Sequence, residues 1–160
     1  MIKLIVALDR KRGIAKHGIM PWYIPEDEEF FTKMTKTYGA NVLSGAATYK
    51  TYSGPLKDRQ NYVLTHDKTP IEGAIAVSNL ESLIKDSKMD NLWIAGGANV
   101  FNQVIDQGYA DELYLTQIDA DFNCDLFFPE YEQKFSLIDQ SLTFKQNGFN
   151  FKYCKYTKKA

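Results

Sequence analysis

The sequence predicts a single α/β domain, a central, mixed but mostly parallel sheet of about eight strands with flanking helices and an antiparallel C-terminal hairpin. Three observations carry this expectation. Strand-like runs alternate with helical periodicities through the first two-thirds of the chain, and only strand patterns follow. Between the last two runs, Asn147-Gly148 is a tight-turn signal that joins antiparallel neighbours.

The elements follow in order. Residues 3–8 are an almost unbroken apolar run, as expected of a strand buried on both faces. Further strands are expected at 41–44, 60–65, 74–77, 91–95, 112–118, 134–138 and 149–156, where β-branched and aromatic residues concentrate. Pro25 suits the first turn of a helix, the acids from Glu26 to Glu29 complement the positive end of its dipole, and Gly39 can stop it. Ser78 and Glu81 have the spacing of a capping box ahead of the apolar stripe Leu80, Leu83 and Ile84. After Gly97, one helical face carries Val100, Phe101, Val104 and Ile105, and Gly108 closes the run.

At 160 residues the chain is expected to form one domain over 1–160, with no repeat or linker to divide it. Its 19 basic and 20 acidic side chains leave a net charge of -1, so no field favours nucleic acid or an anionic membrane. A small molecule is the expected partner. Cys124, Cys154, His17 and His66 share no metal-ligand spacing, so no metal is expected. The apolar stretch at the amino terminus is too short for a secretory signal and runs into Asp9-Arg10-Lys11-Arg12. The protein is therefore expected in the cytoplasm, with both thiols reduced.

Asp27 is the most informative residue. In a helix opening at Pro25 it shares a face with Phe30 or Phe31 and Met34, which aims a carboxylate at the core. Met20-Pro21-Trp22 just upstream would cover it with an apolar and aromatic lid. An acid so enclosed holds its proton more tightly and can pair with a cationic, amidine-like heterocycle. The neighbouring Glu26, Glu28 and Glu29 read as solvated acids at a helix start. Two strand-glycine-helix turns, Ser44-Gly45-Ala46-Ala47-Thr48 and Ala95-Gly96-Gly97-Ala98, present backbone N–H groups that suit an anionic dinucleotide. Neither is a dinucleotide fingerprint or a P-loop, and each alone is also a plain strand-to-helix turn.

Five blocks in order carry a resemblance. Met20-Pro21-Trp22-Tyr23-Ile24-Pro25-Glu26-Asp27, followed by Phe30-Phe31, resembles the M-P-W-x-L-P-x-D segment of bacterial dihydrofolate reductases. Pro55-Leu56-Lys57-Asp58-Arg59-Gln60-Asn61, Ile94-Ala95-Gly96-Gly97-Ala98, Leu113-Tyr114-Leu115-Thr116-Gln117-Ile118 and Asp125-Leu126-Phe127-Phe128-Pro129 are similar to further blocks of that family. The resemblance implies a cytoplasmic, monomeric enzyme of one-carbon metabolism that reduces dihydrofolate with NADPH and binds folate analogues, hence an antifolate target. It implies that Asp27, Met20, Trp22 and Thr116 serve catalysis. Ile5, Phe31, Arg59 and Ala95 would join Asp27 and Thr116 around substrate, with Arg59 taking a carboxylate in its fork. Ala7, Ile14 and Met20 would face the nicotinamide, and Gly45, Ala46, Ala47 and Thr48 would hold the diphosphate with Gly96, Gly97, Ala98, Asn99, Val100 and Phe101. Thr65 and His66 would approach the adenosine ribose, and Gly96-Gly97 resembles the family's cis peptide. The segment 9–23 would close over the nicotinamide, supported by Asp125.

Four residues depart from the family pattern. Ala46 and Asn99 stand where basic residues usually meet the cofactor's extra phosphate, which narrows the expected preference for NADPH and leaves NADH use open. Glu28 replaces an apolar residue, which bears on antifolate affinity, and Ala15 replaces a glycine of the mobile segment. A reductase of riboflavin synthesis would share the fold but not need Trp22, Asp27 and Arg59 together. A non-catalytic pterin or nucleotide-binding module would dispense with the acid.

Overall fold

The computed structural model describes residues 1–86 and 89–160. In chain order the elements are β1 (Ile2–Leu8), β2 (Gly13–Ala15), α1 (Pro25–Thr37), β3 (Asn41–Gly45), α2 (Ala46–Lys50), β4 (Gln60–Leu64), β5 (Ile75–Val77), α3 (Leu80–Ile84), β6 (Leu92–Ile94), α4 (Ala98–Asp106), β7 (Glu112–Ile118), β8 (Leu126–Phe127), β9 (Phe135–Gln140), β10 (Phe144–Gln146) and β11 (Phe149–Lys158). The main sheet runs β10-β11-β7-β1-β6-β3-β4-β5, with β9 also paired to β11. From β7 to β5 every pairing is parallel, and β9, β10 and β11 enter antiparallel.

Covered on both faces, β1 is apolar almost throughout, with Leu4 fully buried. One face meets α4, whose Val100, Phe101, Val104 and Ile105 are buried with Leu4, Leu43 and Ile94. On the other face, Phe30, Phe31 and Met34 of α1 pack on Ile5, Val42, Trp93 and Tyr114. The apolar spacing that predicted each helix is thus what attaches it to the sheet. Asn147 and Gly148 close the β10–β11 hairpin with φ of 52° and 80° between the paired residues Gln146 and Phe149. Positive φ at both positions is the turn that Asn-Gly favours.

Three local expectations are corrected. The capping box at Ser78 does not form, because α3 begins one residue later and Asn79 caps it, its side chain accepting from Ser82 N–H at 3.2 Å. Glu81 pairs instead with Lys85, one turn ahead. The last two predicted strands are shifted or extended, to Phe135–Gln140 and Phe149–Lys158. Three short strands were not foreseen: β10, and the β2–β8 pair, a separate two-stranded sheet that joins the segment expected to be a lid to residues 126–127.

Candidate active site

The parallel strands β1, β3, β4 and β6 end on one side of the sheet, where a cleft of about 830 Å³ opens. Ligand sites of open α/β sheets form at such carboxyl ends, where the chain leaves the sheet in different directions. Here β1 and β6 stay in register only to Leu4 and Ile94. Beyond that point Ala95 N–H turns to Leu43 O at 2.9 Å, so the chains diverge from Ile5 and Ala95 onward and both line the cleft.

Asp27 enters from the first turn of α1, and Thr116 comes from β7, next to β1. The Thr116 hydroxyl donates to Asp27 Oδ1 at 2.6 Å. Burial raises the Asp27 carboxyl from 3.8 to about 6; the Thr116 bond opposes the rise and the nearby Glu28 charge adds to it. The group can therefore exchange a proton near neutrality while its hydroxyl partner fixes its orientation. Phe31 lines the same end of the cleft and Met20 covers it, 55% exposed.

Trp22 does not line the cleft. It is buried behind the wall, against the Phe122 ring at 5.1 Å, in a cluster with Ala7, Ile24, Ile118 and Phe151. Its part in covering Asp27 is indirect, through support of Ala7 and the start of α1. Arg59 also stands outside the lining, clamped beside α1: Nε donates to Lys57 O and Nη1 to Thr35 Oγ1, both at 3.0 Å. Its guanidinium carbon lies 6.0 Å from the centre of the Phe31 ring.

The second half of the cleft is built from the two glycine turns. Gly45 N–H donates to Gly96 O at 2.8 Å, which joins the turns to each other. A Cβ on Gly97 would stand 3.2 Å from Thr48 Oγ1, and one on Gly45 3.3 Å from Val100 Cγ2, so both positions are tight for any side chain. The Gly96–Gly97 peptide is cis. Gly97 begins the nine-residue α4 with no side-chain cap, which leaves N–H groups of its first turn to meet an anion. Ala7, Ile14, Ala46, Ala47, Thr48, Thr65, His66 and the stretch from Gly96 to Phe101 all line this half.

Asp125 lies outside the cleft and is tied to the segment 9–23: Oδ2 accepts from His17 N–H and its own N–H donates to Ala15 O, both at 3.0 Å. Two supporting residues escaped the sequence reading. Asn61, buried, accepts from Leu56 N–H at 2.9 Å and donates to Leu56 O and Arg59 O at 3.0 Å, which shapes the loop carrying Arg59. Its place at the end of the Pro55 block was the available signal. Tyr52, 3.0 Å from Ser44 Oγ, walls the cleft after α2 and had no such signal.

Comparison with known proteins agrees with this geometry. A family model described as dihydrofolate reductase matches residues 1–158. The dihydrofolate reductase of Bacillus subtilis (strain 168) is 30% identical over 164 residues, covering 99% of this chain and 95% of that protein. That of Haemophilus influenzae is 31% identical, covering 98% of each, and that of Aedes albopictus 31% identical, covering 97% and 96%. With the acid, its threonine partner and two glycine turns meeting in one cleft, and the match running nearly end to end, the chain belongs to the dihydrofolate reductase family.

Proposed function

We propose that Asp27, Thr116 and the two glycine turns are the working parts of the family's reaction here, the reduction of dihydrofolate to tetrahydrofolate, and that NADPH is the preferred reductant. The observation that carries this is the Asp27–Thr116 pair in a cleft of about 830 Å³ that both glycine turns also line. Asp27 grips the amino-pyrimidine edge of the pterin, with the Ile5 and Ala95 carbonyls beside it. Its raised proton affinity suits a reaction that ends with a proton on pterin nitrogen 5. Phe31 packs on the benzoyl group, and Arg59, pre-set by Thr35 and Lys57 O, takes a substrate carboxylate.

The cofactor half fits a dinucleotide, because its glycines let a ligand approach the backbone closely and α4 presents an uncapped start. Bound nicotinamide supplies the hydride that reaches pterin carbon 6. Ala7, Ile14 and Met20 form the apolar wall that keeps water from that face, and segment 9–23 acts as a lid held by Asp125. The whole apparatus lies in one chain, which supports a monomer, and the reading places it in the cytoplasm. Among the described residues no helix is long and apolar enough to cross a membrane.

Absorbance at the reduced-nicotinamide band tests the reading: it should fall only when dihydrofolate is added. Loss without dihydrofolate, or none with it, refutes it.

Cofactor choice gives a sharper expectation. Among the described residues no lysine or arginine lines the cleft, and Ala46, Asn99, Thr65 and His66 border the ribose end. One charged hydrogen bond is worth about 1.5–3 kcal/mol, so each missing guanidinium costs roughly tenfold or more in affinity. NADPH should still bind more tightly than NADH, by a smaller ratio than two arginines would give. The ratio should narrow further in His66→Ala. Dissociation constants for both dinucleotides check this. A ratio indifferent to His66 would assign the phosphate to another group.

A further inference from the structure

We propose that Asp9 is a positioning residue for hydride transfer, a buried carboxylate that clamps the base of the lid to the loop over residues 119–125; this rests on reading 9–23 as the lid. Asp9 directly follows β1 and is 2% exposed. The cations beside it in sequence are committed elsewhere: Arg10 to Asp119 at 2.7 Å, Lys11 to Asp121 at 3.0 Å, and Arg12 to Phe128 O at 2.6 Å. Backbone dipoles meet its charge instead. Oδ1 accepts from Lys11 N–H at 2.9 Å and Gly13 N–H at 2.7 Å, and Oδ2 accepts from Phe122 N–H at 3.1 Å. Cys124 lies beside the same carboxylate, and burial together with the Asp9 charge pushes its thiol up to about 11.

The junction has no slack. A Cβ on Gly13 would lie 2.5 Å from Cys124 Cβ and 2.8 Å from Asp9 Oδ2. One side chain therefore fixes two segments more than a hundred residues apart in sequence, and each leads to the cleft. Gly13 opens β2, whose Ile14 and Ala15 line the nicotinamide end. Phe122 packs on Trp22, which backs Ala7 in the same wall. Two acceptor oxygens are required, because an amide in this place keeps one acceptor and turns its NH2 against a donor.

Asp9→Asn separates the two halves of the clamp. The amide oxygen can still serve Lys11 and Gly13, while its NH2 confronts Phe122 N–H. In the full chain, single-turnover hydride transfer should fall about tenfold, the scale set by one buried donor left unpaired. The dissociation constant for folate should change less than twofold, because Asp27, Phe31 and Thr116 are untouched. A second variant leaves the buried charge in place: Gly13→Ala drives a methyl into Cys124 Cβ and Asp9 Oδ2 and should slow transfer several-fold with folate affinity again within twofold. Asp125→Ala is measured alongside and should slow transfer by itself. If it does while the Asp9 variant keeps the wild-type rate, the role of Asp9 is overturned and the lid stands. If Asp125→Ala is also without effect, the lid reading falls. Equal loss of rate and folate affinity in Asp9→Asn would overturn positioning in favour of general loosening. Should that variant fail to fold, Gly13→Ala decides, and a wild-type transfer rate there overturns the proposal.

Discussion

Asp27→Asn should lower turnover at neutral pH by about two to four orders of magnitude, the usual range for a lost general acid–base group, and make the fold more stable. Asn keeps the size of Asp and can still accept from Thr116 Oγ1. Lost are the negative charge proposed to pair with the pterin and the proton affinity raised to about 6. The wild-type transfer rate should be high below pH 6 and decline above it, as the carboxyl ionises; the Asn variant should show no such step. The stability gain has the same origin. The folded pKa lies above the unfolded value of 3.8, so the contribution of Asp27 to stability is full below about 3.8 and is lost as pH rises through about 6. At neutral pH, holding this carboxylate ionised under burial costs about 3 kcal/mol, which Asn removes. Thermal melts of both proteins should differ most near pH 7 and converge near pH 3.5. A variant with near-normal turnover, or one melting below wild type at pH 7, would contradict the assignment.

Trp93→Ala should have the largest effect on stability. Trp93 lies in β6 with no exposed surface, meets the Tyr114 ring edge-on at 5.0 Å, and donates from Nε1 to Tyr38 O at 3.0 Å. Truncation leaves a cavity and an unpaired carbonyl, and aromatic-to-alanine changes in cores cost about 3–5 kcal/mol. Against a typical total of roughly 5–15 kcal/mol this is a large share, equivalent to a fall in Tm of about 6–20 °C for a domain of this size. Phe30, Phe31 and Met34 rest on the same cluster, so KM for dihydrofolate should rise as α1 loses its seat. Calorimetry and steady-state kinetics check both. A loss below about 1 kcal/mol would mean that the site collapses around the missing ring.

The sequence by itself determined what depends on neighbours along the chain. The apolar run of β1, the spacing of Phe30, Phe31 and Met34, the stripe of α4 and the Asn147-Gly148 turn are local patterns, and each formed the element expected of it. Asp27 was legible because helical spacing aims it inward, and the glycine turns because each lies where a strand gives way to a helix. Only the tertiary structure decided what depends on partners remote in sequence. The Asp27–Thr116 bond spans 89 positions and Asp9–Phe122 spans 113, and no periodicity encodes such distances. The β2–β8 pair is too short to carry a two-residue period, and the cap falls on Asn79 because its side chain is the one that reaches the free Ser82 N–H of α3. Without the family resemblance, Arg59 would read in the sequence as an ordinary solvated charge; Thr35 on α1 and Asn61 in β4 hold it beside Phe31. The proton affinity of Asp27 belongs to the fold as well, because desolvation arises only when β1, β7 and α1 close around the carboxyl.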